Sequence, residues 1–122
     1  MNYMATSINQ SPVIVDKAGA VLADVRGRAV KFDAGAIVLA GAGEKAIGVG
    51  IMTNDTNIAV GEDVHVQIKD IGLVYAGAEI TKGAELEVGA NGALIPAASG
   101  KPVAVALEAA TAAGVYVKAR IL

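Results

Sequence analysis

His65 is the one histidine in the 122 residues, and so the first place to look for proton chemistry. It stands in Asp63–Lys69, where Val64, Val66 and Ile68 alternate with His65, Gln67 and Lys69. Period two puts the imidazole on the polar face of a strand. No Ser-His-Asp spacing surrounds it, so a surface histidine is expected. Asp55, Glu62 and Asp63 form an acidic group. A calcium loop needs ligands at alternate positions and a glutamate at twelve. This spacing does not supply them, and a solvated loop is expected. Glu85 and Glu87 share one strand face, about 7 Å apart by strand rise, a separation compatible with a glycosidase pair. No aromatic neighbour is there to hold a sugar. The run Gly41-Ala-Gly43-Glu-Lys-Ala-Ile-Gly48 lacks the Gly-Lys-Ser/Thr ending of a phosphate loop. It reads instead as a tight hairpin loop at Ala40–Lys45.

Composition excludes more. With no cysteine there is no disulfide frame, thiolate metal site or cysteine nucleophile. One histidine does not build a zinc site unaided. A net charge of −2 gives no general attraction to nucleic acid. Three Tyr, one Phe and no Trp leave few platforms for stacking bases. No run approaches the ~20 apolar residues of a membrane helix. The first residues lack a basic stretch followed by an apolar one, so no signal peptide is expected. No catalytic residue, cofactor, metal or small-molecule substrate is expected. What remains is a protein that binds another surface.

The elements that position these residues are short and β-like. Residues 1–12, MNYMATSINQSP, carry no charge and no periodicity and end on proline. They read as a flexible arm, with 13–122 as a single β domain. Val115, Val117, Ala119 and Ile121 oppose Tyr116, Lys118 and Arg120, and Leu86 and Val88 oppose Glu85 and Glu87. Such alternation marks half-buried antiparallel strands. Asn91-Gly92, between Val88 and Leu94, is a strong hairpin signal. Ile47, Val49 and Ile51 have Gly48 and Gly50 behind them, and Val103, Val105 and Leu107 have Ala104 and Ala106. Small residues on that second face let another backbone approach, whether a covering loop or a neighbouring subunit. Ala109–Ala113 is too short for a stable helix and reads as a loop or single turn. The fold class expected is all-β, a small barrel or sandwich.

A weak internal repeat supports this. Gly27-Arg-Ala-Val-Lys-Phe-Asp matches Gly83-Ala-Glu-Leu-Glu-Val-Gly. Ala46-Ile-Gly-Val-Gly-Ile matches Pro102-Val-Ala-Val-Ala-Leu, and Gly61-Glu-Asp-Val-His-Val matches Gly114-Val-Tyr-Val with a gap. Each unit is a hairpin, a small-residue strand, a loop and an alternating strand. A duplicated unit of about 40–45 residues suggests two sheets or two halves of one barrel, since solenoids need at least three repeats.

The order of segments resembles the small bacteriophage capsid cement or decoration proteins, including a family labelled as a domain of unknown function (DUF2190) and the related phage head-fibre proteins. The resemblance rests on Gly27–Asp33 with Gly35-Ala-Ile-Val, Ala46-Ile-Gly-Val-Gly-Ile, Gly61-Glu-Asp-Val-His-Val, Gly72-Leu-Val-Tyr-Ala-Gly-Ala, Ile80-Thr-Lys-Gly-Ala and Val115–Ile121. It runs from about Val13 to the C-terminus. It implies a homotrimeric structural virion protein, made in the host cytoplasm. Such a protein sits on the outer surface of the capsid, with the major capsid protein as partner. The family has no catalytic residues to carry over. The uncharged arm, with Asn2, Tyr3, Met4, Ile8, Asn9 and Gln10, is the expected capsid or partner interface. The competing classes are a head-fibre-like carbohydrate-binding or host-adhesion module, and a small β-barrel subunit of an enzyme. Scarce Trp and Tyr argue against the carbohydrate reading.

Overall fold

The computed structural model describes residues 12–98 and 100–122. The chain is nearly all β. In order come β1 (Val13–Lys17), β2 (Ala29–Asp33), β3 (Ala36–Leu39), β4 (Gly48–Gly50), β5 (Asp63–Gln67), β6 (Asp70–Tyr75), β7 (Glu85–Val88), β8 (Leu94–Pro96), β9 (Ala104–Ala106) and β10 (Tyr116–Ile121). Two five-stranded sheets form, ordered β1-β5-β4-β2-β3 and β6-β10-β9-β7-β8. All strand pairs within them are antiparallel.

The two orders are the same order. Strand for strand, β1 corresponds to β6, β2 to β7, β3 to β8, β4 to β9 and β5 to β10. Even the bonds outside the strands repeat. The Gly27 N–H donates to the Gly50 carbonyl as Gly83 does to Ala106. Leu22 and Ile58 exchange backbone bonds as Ile80 and Ala110 do. Each sheet curls until its outer strands meet, through the parallel bridge Ala18–Ile37 in the first half and Ala76–Leu94 in the second. The molecule is therefore two small barrels in tandem. The repeat is longer than the sequence suggests, because it includes β1 and β6. Val-Ile-Val-Asp-Lys and Asp-Ile-Gly-Leu-Val-Tyr share a role but little identity.

Alternation sets the core. Val64 and Val66 are fully buried while Asp63 and His65 are exposed. Val117, Ala119 and Ile121 point inward, while Lys118 and Arg120 point out. One apolar cluster, with Leu22, Val25, Val30, Ile37, Ile58, Val64 and Val66, lies wholly in the first barrel. The other fills the second barrel with Val74, Ile80, Leu86, Leu94 and Val117, and takes in Ala29, Ala40 and Val49 from the first.

Small residues stand where backbones crowd. A Cβ on Gly48 would lie 2.1 Å from the Gln67 carbonyl oxygen, and one on Gly50 would lie 2.1 Å from that of Val25. The cover over β4 is thus the chain's own backbone, the loop before β2 included, and not another subunit. In β9 the small face is the core face, with Ala104 and Ala106 buried and Leu107 exposed. Asn91-Gly92 turns the β7–β8 hairpin as expected, with both residues in the left-handed region (φ 55° and 75°). Ala109–Ala113 is loop, with Ala110 bridged to Ile80.

Two expectations are corrected. Ala40–Lys45 does not close a hairpin: β3 and β4 are not neighbours, and the segment carries the chain past β2. Glu87 is not an open strand carboxylate. It is 6 % exposed, and its Oε2 accepts the Gly100 N–H.

Candidate functional surfaces

Four of the residues singled out for chemistry, Asp55, Glu62, Asp63 and His65, line one cavity. The cavity, of about 310 Å³, is lined by Thr53, Asn54, Asp55, Ile58, Glu62, Asp63 and His65. Three of its polar side chains, Asn54, Glu62 and Asp63, are engaged in holding the chain. Asn54 is buried, donates to the carbonyls of Ile51 (3.1 Å) and His65 (2.8 Å), and accepts the His65 N–H (2.9 Å). Glu62 Oε1 accepts the Ala59 N–H at 2.7 Å. Asp63 pairs with Lys17 Nζ at 2.5 Å. That hydrogen bond and its charge hold the Asp63 carboxyl below its usual range and the Lys17 ammonium above its own. No group of three or more His, Cys, Asp or Glu suited to a metal occurs among the described residues. In the second barrel Glu108 takes the place of Asn54, its Oε1 accepting the Lys118 N–H at 2.7 Å. The arrangement pins a loop to a strand.

Glu85 is exposed and Glu87 buried, so they present no matched carboxylate pair. Arg26 clamps Asp24 through Nε–Oδ1 and Nη2–Oδ2 contacts of 3.0 Å each. These hydrogen bonds keep the Asp24 carboxyl below its ordinary range. Lys31 pairs with Glu44 at 2.6 Å. The expected interface residues Asn2, Tyr3, Met4, Ile8, Asn9 and Gln10 lie outside the described residues. Pro12, where the arm ends, is anchored by the Ile68 N–H at 2.7 Å.

The joint between the barrels is the most built surface in the molecule. The β7–β8 end of the second barrel abuts the β2–β4 flank of the first. The Tyr75 N–H donates to the Gly27 carbonyl (2.7 Å) and the Gly43 N–H to that of Val88 (2.8 Å). Arg28 Nη1 reaches the Asn91 carbonyl at 3.1 Å. Its guanidinium lies 4.1 Å over the Tyr75 ring, which meets Tyr116 edge-on with centroids 5.4 Å apart. Two of the three tyrosines are thus spent on internal packing. Sequence reading missed this joint, though the pairing of Gly27 with Gly83 was its signal.

Large apolar side chains are left exposed on both barrels. Ile71 and Leu73 of β6 stand opposite Arg120 and Lys118 of β10, and Arg120 stands opposite Val105 of β9. Ile71 is 59 % exposed and Leu73 40 %. On the first barrel Phe32 and Val15 are the open apolar positions of the strands.

No family model matches the chain, and no curated protein matches it. Among solved structures, the N base of the head fibre gp8.5 of bacteriophage phi29 is similar to it. The TM-score is 0.67 at 20 % identity, over 90 % of this chain and 92 % of that one. At this identity the likeness shows a common fold, the tandem of small β-barrels.

Proposed function

We propose that this is a non-enzymatic structural protein of a phage head, a decoration (cement) protein that binds the outside of the shell as a homotrimer. The observation that supports it is the likeness to a head-fibre base over nine-tenths of the chain. The physical logic suits the task. Each bond between capsid subunits is modest, and the shell is loaded from within. A trimer touching three capsid subunits gains effective concentration for its second and third contacts. Its partner is the major capsid protein, and it acts on the outer virion surface after synthesis in the host cytoplasm. Against the carbohydrate-binding alternative, Tyr75 and Tyr116 are packed in the barrel joint and do not form a sugar platform.

The arm is the proposed attachment element, through Asn2, Tyr3, Met4, Ile8, Asn9 and Gln10. Deleting residues 2–11 leaves the melting temperature nearly unchanged and weakens co-sedimentation with empty or expanded capsids. Because the segment has no formal charge, the loss is the same at low and high salt. Equal binding by both forms removes the arm from the mechanism. No binding of the full chain to any capsid form overturns the reading.

A further inference from the structure

Duplication makes the barrel joint a statement about the molecule's outside. Each barrel carries an end and a flank. The end of the second barrel is docked on the flank of the first, which leaves one of each unused. The unused end belongs to the first barrel. By strand correspondence it presents Phe32 where Val88 stands, Ala34-Gly35 where Asn91-Gly92 turns, and Lys17 and Asp63 where Tyr75 and Tyr116 pack. The unused flank belongs to the second barrel. It presents Gly83, Ala84, Glu85 and Val105 where Gly27, Arg28, Ala29 and Val49 receive the joint. Ala29 and Val49 are fully covered, whereas Val105 is half-buried and Glu85 exposed.

We infer that the first-barrel end of one copy docks on the second-barrel flank of another, repeating the internal joint between chains. Three features favour a second copy as the occupant. Phe32, the one phenylalanine, is 44 % exposed at the position whose counterpart Val88 is 1 % exposed in the joint. The turn and the receiving position are open: a Cβ on Gly35 or Gly83 meets nothing within 4 Å, whereas one on Gly92 or Gly27 meets the other barrel within 3 Å. Charge is complementary as well. The end carries Asp16, Asp33 and Asp63 against Lys17, and the flank carries Lys82 beside Gly83 and Arg120 opposite Val105, against Glu85.

Such a contact is heterologous, end to flank, and closes into a ring when its rotation allows. With three chains the ring holds six barrels in succession. The number three rests on the trimer of the proposed function, and the contact itself on the duplication. Because Lys17 and Asp63 replace the tyrosine pair, the contact between chains is more polar than the one within. It weakens with salt, while the internal joint does not.

The chain has no cysteine, so single thiols report cleanly. Lys17→Cys and Ala84→Cys stand at the counterparts of Tyr75 and Arg28. A short bis-maleimide is expected to link the two variants when mixed and to link neither alone. Adding Phe32→Asp to the Lys17→Cys chain is expected to abolish the link, with circular dichroism unchanged. A Val105→Asp change on the Ala84→Cys chain does the same from the other side. Linking of Lys17→Cys to itself, or no link in the mixture at concentrations where sedimentation shows an oligomer, overturns the contact. So does a wild-type chain that stays monomeric both free and on capsids. Capsid co-sedimentation separates the two readings. Binding without the cross-link overturns the copy contact alone, and a cross-linked ring that does not bind overturns the capsid role alone.

Discussion

Gln67 of the first barrel closes the edge of the second at Ile71: its Nε2 donates to the Ile71 carbonyl at 2.8 Å and to that of Lys69 at the same distance. Gly27 covers the same edge further along, at Tyr75. An edge strand is a template for unwanted pairing unless something occupies its polar groups. Here the neighbouring barrel does so, and the joint and the edge protection are one device.

Gln67→Ala therefore leaves two carbonyls without their donor. Urea unfolding should show a loss of about 1 kcal/mol with an unchanged spectrum. Gln67→Glu should cost more, because a carboxylate then faces two carbonyl oxygens. Equal stability of all three proteins would show the contact to be idle.

Glycine changes should divide by environment. Gly48→Ala and Gly50→Ala each push a methyl to 2.1 Å from a backbone oxygen. Each should cost about 3 kcal/mol, since backbone on both sides must move. Gly61 has open space around it but φ of +86°. Gly61→Ala should cost only about 1 kcal/mol, the strain of a left-handed alanine. Thermal melts of the three variants check the order.

Asp24 gives a pH dependence of definite sign. Arg26 lowers its carboxyl in the folded state. The stabilisation is present above the ordinary carboxylate range, near ~4. It is lost as pH falls through the lower folded value. Asp24→Asn should lower stability by less than about 1 kcal/mol at neutral pH, the pair being partly exposed. The gap between variant and wild type should then narrow on acidification. A gap constant down to pH 2 would contradict the assignment.

The Arg28–Tyr75 contact should appear as coupling between the barrels. Arg28→Leu and Tyr75→Leu, singly and together, form a double-mutant cycle with an expected interaction of roughly 0.5–1 kcal/mol. Among the described residues Arg28 Nε has no hydrogen-bond partner, and the guanidinium engages the Tyr75 ring and the Asn91 carbonyl in the joint. Strict additivity would mean that the ring and the cation merely lie close.

Much of this fold is visible in the sequence because its strands alternate. Val64, Val66, Val117 and Ala119 announce their inward faces, and Asn91-Gly92 announces its turn. The duplication is legible at Gly27 and Gly83, where a tight turn demands glycine in both halves. It fades at β1 and β6, since strand role there needs only a period and not particular side chains. The crossover at Ala40–Lys45 is hidden because glycine spacing marks a turn without saying which strand follows. Glu87 misleads because alternation reports the sheet's face and not the loop that covers it. Among the surfaces, Phe32 is simply an apolar residue on a strand until its counterpart Val88 is seen buried.

The two apolar clusters are unequal partners. The first barrel completes its core from its own residues, whereas the second borrows Ala29, Ala40 and Val49. On a ribosome the first barrel emerges before the second. It can reach its native packing while the rest of the chain is still being made. The second barrel then condenses on a finished surface, with Gly27 and Gly43 already in place to receive Tyr75 and Val88. The order of synthesis and the direction of dependence agree, so the nascent chain never waits for a downstream segment to finish an upstream core.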